Sequence, residues 1–149
     1  DVPSSQPSVA IQFNADGYPD ESDPGPYPVP TNAPVEGGAD STGDRHVLVL
    51  ERDNCILYEL YVAVPQSNGS WEVYASTRYD LHSHALRPDT WTSADAAGLP
   101  IMPLLVRADE ASAGAALTAV SLEEGLFSAF SCFAQPERTM PASWRSSMW

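Results

Sequence analysis

Four sets of side chains in this chain have the types and spacing to do chemistry. Asp44 and His46 lie two residues apart at the mouth of an apolar run, and a carboxylate that orients an imidazole is the working core of many general-base sites. Glu59 and Glu110 each follow an apolar run. Two carboxyls about 5 to 10 Å apart, one kept protonated and the other ionised, can hydrolyse a glycosidic bond. Asp80, His82 and His84 alternate, so an extended backbone projects all three from one face as a donor set for iron, zinc or copper. Trp71, Trp91 and Tyr74 are rings that could stack on a sugar.

Each set also has a plainer structural reading. Asp44 can cap a turn while His46 bonds at a strand edge, and Glu59 or Glu110 can be ion-paired by Arg78, Arg87 or Arg107. His82-Ser83-His84 can be a polar loop ahead of Leu86-Arg87-Pro88, and aromatic residues in a chain of this size more often fill a core. No G-x-S-x-G elbow or CxxC pair accompanies these residues. The motifs imply no cofactor beyond two openings, calcium in the acidic stretch from Asp16 to Gly25 and a transition metal at Asp80, His82 and His84. The calcium stretch lacks EF-hand spacing.

The elements that must position these residues are strands. His46 to Glu51, Cys55 to Val64 and Ser70 to Tyr79 are rich in Val, Ile, Leu, Tyr and Trp, and turn residues separate them. Asn68-Gly69 suits a tight hairpin turn, and it explains the Asn68-Gly69-Ser70 sequon without a glycan. The pattern predicts an antiparallel meander whose middle strand is apolar on both faces and therefore central. Glu59 is then a carboxylate on a covered face. Thr92 or Ser93 is expected to cap a helical turn with Asp95 near its positive end, closed by Gly98 and Pro100.

Residues 1–42 hold eight of the 14 prolines, which predicts an extended arm with a short docking strand at Val9, Ile11 and Phe13. The expected organisation is a Pro/Gly-rich arm over 1–42, a β-rich core over 43–110 and an atypical tail over 111–149. The fold class is mainly β, an antiparallel meander with that arm and a short helical C-terminal part; an α+β fold is the alternative.

The chain has 149 residues and a formal charge of −13, from 20 acidic residues against seven arginines and no lysine. A grip on nucleic acid needs clustered cations, so it is not expected. The longest apolar stretch, Ala111 to Ala134, is interrupted by Glu123 and Glu124, so membrane insertion is not expected either. Cys55 and Cys132 permit one disulfide without requiring it. A start at Asp1 suggests a processed product or a fragment, and a removed export signal would fit.

Gly43-Asp44-Arg45-His46-Val47-Leu48-Val49, Leu57-Tyr58-Glu59-Leu60, Gly69-Ser70-Trp71, Ala85-Leu86-Arg87-Pro88, Trp91 to Pro100 and Val106-Arg107 with Asp109-Glu110 together resemble a family of uncharacterised, secreted bacterial proteins. The acidic loop from Asp20 to Pro30 and Pro34 to Gly38 resemble its upstream portion. Asp44, His46, Glu59 and Glu110 fall on the family's pattern, whereas His82-Ser83-His84 departs from it. The resemblance implies a secreted or periplasmic location and no particular reaction.

After Glu110 the family continues with a Gly-x-Ile-x-His-Ala-Leu-like strand and Ala-Tyr-x-x-Pro, of which Leu117 to Val120 keep only an echo. With permissive codons for Glu123 to Cys132, reading one base later restores an Ala-Tyr and a Pro-Ser-His-Ala order. The hypothesis is that residues from about 119 onward are out of frame. Coding DNA without such a continuation in a neighbouring frame would rule it out. The expected function is binding to an extracellular or cell-envelope carbohydrate. The alternatives are a secreted glycosidase-like hydrolase and a truncated, inactive relative that self-associates through an exposed sheet edge.

Overall fold

The computed structural model describes residues 1–83 and 85–105. His84, Glu110, Cys132 and the predicted helical C-terminal part all lie outside them. Residues 1–105 form one compact unit. It is mainly strands in two small sheets, and among the described residues its only helices are two 3₁₀ turns, Pro19–Glu21 and Met102–Leu104. Among those residues no helix is long and apolar enough to cross a membrane.

The first sheet is antiparallel and three-stranded. It has β3 (Ile56–Tyr61) at the centre, flanked by β2 (Val47–Glu51) and β6 (Ala75–Asp80). β3 is central because both its faces are apolar, and Leu57, Glu59 and Leu60 are completely buried. The second sheet sets β5 (Trp71–Val73) between β4 (Val64–Pro65) and β1 (Ile11–Phe13), with β4 antiparallel and β1 parallel to it.

The predicted third run, Ser70 to Tyr79, is not one strand of one sheet. It divides at Tyr74, and its halves serve different sheets. The register nevertheless carries through. Tyr61 faces Ala75 and Val64 faces Glu72, so neither strand has an inserted residue. The two sheets therefore share one long hairpin that bends where Val62 takes φ 50° and where Tyr74 N–H donates to the Tyr61 carbonyl at 2.9 Å. Gly69, at φ 86°, supplies the left-handed residue that the hairpin turn requires.

The bend brings the inner faces of both sheets onto one core. Val47, Val49 and Leu60 meet Trp71 and Val73 there, and Val2, Tyr27 and Val29 from the arm complete it. The arm is thus built into the core. It also covers strand edges: Val2 N–H donates to the Leu50 carbonyl at 2.8 Å, Glu36 N–H to the His46 carbonyl at 3.0 Å, and Asp23 N–H to the Ser76 carbonyl at 3.0 Å. Both outer strands of the first sheet therefore carry hydrogen bonds from the arm.

Candidate functional site

The opposite face of the first sheet carries Glu59, Thr77 and Tyr79 among Leu48, Leu50 and Leu57. Strand alternation puts Leu57, Glu59 and Tyr61 on this face, and the register sets Thr77 beside Glu59 and Tyr79 beside Leu57. The segment 91–104 lies over Glu59. One carboxylate oxygen accepts the N–H groups of Ile101 at 2.8 Å and Met102 at 2.9 Å, and the other accepts Ile101 N–H at 3.0 Å. Burial raises the Glu59 pKa. The two N–H groups oppose the rise, Asp95 adds to it and His46 subtracts, which leaves the carboxyl at about 7.

Tyr79 belongs to the same buried layer. Its hydroxyl is sealed from solvent and lies near Ser93 and Thr77 without hydrogen-bond geometry to either. Burial, and then the nearby Glu59 charge, push it up to about 12.

His46 lies at the end of this face with both ring nitrogens occupied. Nδ1 is 2.7 Å from the Glu36 carboxylate and Nε2 is 2.9 Å from the Ala94 carbonyl. Burial works against the imidazolium. The Ala94 carbonyl, Glu36 and the charge of Asp44 together outweigh it, so the pKa is raised. The same bond lowers the pKa of Glu36. The carboxylate that orients the ring is therefore Glu36, ten residues upstream, while exposed Asp44 acts on His46 only through space.

The turn that carries Ala94 is not the expected capped helix. Asp95 accepts the N–H groups of Ala97 at 2.9 Å and Leu99 at 3.3 Å, and Ser93 Oγ bonds to the Asp95 carboxylate while accepting Gly98 N–H. Ala96 at φ 65° and Gly98 at φ 77° turn the chain back on itself, which a helix cannot do. Arg87 fastens the start of the segment. It donates to the Thr92 and Glu21 carbonyls and to the Asp23 carboxylate, and it stacks over Tyr79 and Trp91.

The remaining candidates separate. Trp71 is at 0% exposure in the core, so it has no face to offer a ligand; the aromatic core reading holds for it. Trp91 is half-buried beneath the Arg87 guanidinium, 5.4 Å from ring centre. Tyr74 is half-buried and meets Tyr61 edge-on at 6.3 Å, and Tyr61 in turn lies 5.6 Å from the His46 ring. Asp80 accepts the N–H of exposed His82 at 2.9 Å, closing a local turn. Among the described residues no group of three or more His, Cys, Asp or Glu side chains could hold a metal ion. In the acidic stretch, Asp23 and Glu21 are engaged by Arg87, Arg78 and Thr92.

Three rings thus form a row, His46, Tyr61 and Tyr74, crossing from the first sheet to the second at the hairpin bend. Beside Tyr74 lie Glu72 and Asn14, joined at 2.9 Å, and exposed Gln12 opposite Glu72. Tyr18, half exposed, donates its N–H to the Tyr74 carbonyl at 2.7 Å. Residue types alone flagged Tyr74 and His46 but missed Tyr61, whose position next to both rings depends on the bend. No protein-family model matches the chain, and no curated protein or solved structure shows significant similarity to it.

Proposed function

We propose that this protein is a carbohydrate-binding module of the cell envelope or the extracellular space, and that it acts without catalysis. The observation that carries the reading is the partly exposed ring row of Tyr61 and Tyr74 beside the amide and carboxylate groups of Gln12, Asn14 and Glu72. A pyranose offers an apolar C–H face for the rings and hydroxyls for the polar groups, which is the combination such a surface satisfies. The extracytoplasmic location rests on the likeness of the Gly43 to Glu110 strings to secreted proteins.

The hydrolase reading draws on one observation, the Glu59 carboxyl at about 7 with His46 nearby. Against it, both Glu59 oxygens hold backbone N–H groups and the side chain has no exposure. These are the features of a structural anchor. The truncated-relative reading turns on residues beyond 105 and on the coding DNA.

A glycan array followed by calorimetry on the hits tests the proposal. Tyr74→Ala and Tyr61→Ala are expected to weaken binding at least roughly tenfold, since aromatic contacts dominate such sites, while Glu59→Gln leaves it unchanged. Absence of any glycan ligand, or binding indifferent to both tyrosines, would refute the module. Turnover of a glycoside that is abolished by Glu59→Gln would establish the enzyme instead.

A further inference from the structure

The segment 91–104 is attached to the first sheet in an unusual way. Among the described residues it forms no strand pairing with β2, β3 or β6. Beyond the local Trp91–Pro88 turn bond, its hydrogen bonds to the rest of the fold run through side chains that grip its backbone. Glu59 takes Ile101 and Met102 N–H, His46 takes the Ala94 carbonyl, Glu21 takes Thr92 N–H at 3.1 Å, and Arg87 takes the Thr92 carbonyl at 2.7 Å. Two of these four anchors are groups that gain or lose a proton near neutrality.

We infer that segment 91–104 is a proton-held strap, closed over Glu59 at mildly acidic pH and loosened as the pH rises through neutrality.

Complete burial sets the direction at Glu59, and the two facing acceptors set it at His46. A carboxyl with no exposure is held most cheaply as the neutral acid. Ionisation places a charge under the strap that two N–H groups offset only in part, and opening the strap returns that charge to water. His46 faces an acceptor at each ring nitrogen, so only the imidazolium can donate to both. When it loses a proton, either Glu36 or the Ala94 carbonyl is left facing a lone pair.

Of the charged and titratable groups around the two anchors, only the His46 charge acts on Glu59 in the opposite sense, and it is the smallest of the causes. Asp95 on the strap and Tyr79 on β6 face Glu59, and an Asp95 charge favours the neutral acid. Glu36 from the arm and Asp44 face His46, and both favour the imidazolium. Arg87 stands behind Tyr79, where its positive charge offsets part of the rise in the Tyr79 pKa.

The signs follow from linkage. Glu59 is raised from 4.5 to about 7, so the closed form keeps a proton that the open form releases, and closure weakens across that interval. His46 is raised above 6.5, so its contribution is complete below that value and is lost as the pH climbs through the folded value. Glu36 is lowered, so its half of the clamp fails only at low pH. The strap is therefore held best at the acid end of this interval, near the ordinary carboxylate range, and loosens from there through neutrality.

Hydrogen exchange read by mass spectrometry on the full chain, at about pH 5.5 and about pH 8.5 and corrected for intrinsic exchange, tests the strap. Protection of residues 92–104 is expected to fall at least roughly tenfold at the higher pH and to lie well below that of Ile56 to Tyr61 there, which marks a local opening of the strap beside the global one. Glu59→Gln and His46→Gln should each shrink the fall, and the double variant should abolish it. Equal protection of residues 92–104 at the two pH values in the wild type overturns the proposal, as does strap protection equal to that of Ile56 to Tyr61 at the higher pH, which would leave only global unfolding. So does an undiminished fall in His46→Gln, which decides the matter even if Glu59→Gln does not fold.

Discussion

Glu59 shows how one side chain can look catalytic and act as a fastener. Its pKa is shifted in the direction an acid catalyst needs, yet the shift comes from burial under a segment that uses both its oxygens. The consequence is measurable in stability. Because the folded pKa stands above the ordinary value, the folded state binds more protons than the unfolded state between 4.5 and about 7. Wild-type stability should therefore fall with rising pH across that window. Glu59→Gln keeps an acceptor oxygen for Ile101 and Met102 without the charge. It should gain on the wild type across the same window, by at most about 3 kcal/mol, and the gain should level off above it. Urea unfolding of both proteins at stepped pH reads this directly; a difference that does not change with pH would mean that Glu59 is not held as an acid. Glu59 was legible in the sequence as the odd carboxylate of a covered strand. Glu36 was not, because the partner of His46 sits in a Pro-Gly loop ten residues away, and only folding closes that loop.

Among the elements, the bent hairpin decides where the ring row lies. Runs of β-branched and aromatic residues announced β2, β3 and β6, and Asn68-Gly69 announced the turn, because those signals are local. The bend was silent, since Val62 is a good strand residue and nothing in its side chain signals a φ of 50°. The alternation of Val9, Ile11 and Phe13 pointed to the docking strand, and the structure supplies it as β1. The contribution of Val2, Tyr27 and Val29 to the core could not be read, because single apolar residues among prolines carry no period. A β-branched residue in the left-handed region costs of order 1 to 3 kcal/mol, whereas glycine adopts it freely at some cost in chain entropy. Val62→Gly is accordingly expected to stabilise the protein by about 1 kcal/mol while leaving the register of Tyr61 with Ala75 intact. Thermal unfolding provides the check, and a Tm lowered by the substitution would show that the Val62 side chain contributes more by packing than its backbone loses by strain.

At the scale of the whole described unit, the arm is what turns two small sheets into one protein. Three-stranded sheets leave long unpaired edges, and here residues 1–36 both finish the core and bond to the outer strands. Those two roles can be separated. Deleting residues 1–8 removes the buried Val2 side chain, the Val2 bonds to Leu50 and Arg52, the Ser4 bond to Asp53 and the Asp1–Arg52 ion pair. The loss of one apolar side chain and the backbone bonds should lower stability by about 3 kcal/mol. It should also uncover the β2 edge, so association should rise with concentration. Val2→Ala keeps the backbone bonds and trims only the core. It should cost roughly 1 to 2 kcal/mol and leave the association state the same as that of the full chain. Sedimentation and urea unfolding of the two proteins side by side separate edge from core. If the deletion protein stays monomeric at every concentration, the arm serves the core alone. If Val2→Ala associates as readily as the deletion, the exposed surface that drives association is apolar core and not strand edge. The net charge of −13 sharpens the comparison, because like-charged chains repel and any association the deletion causes must overcome that repulsion. Association through the β2 edge should therefore strengthen with added salt, which screens the repulsion and leaves backbone pairing untouched.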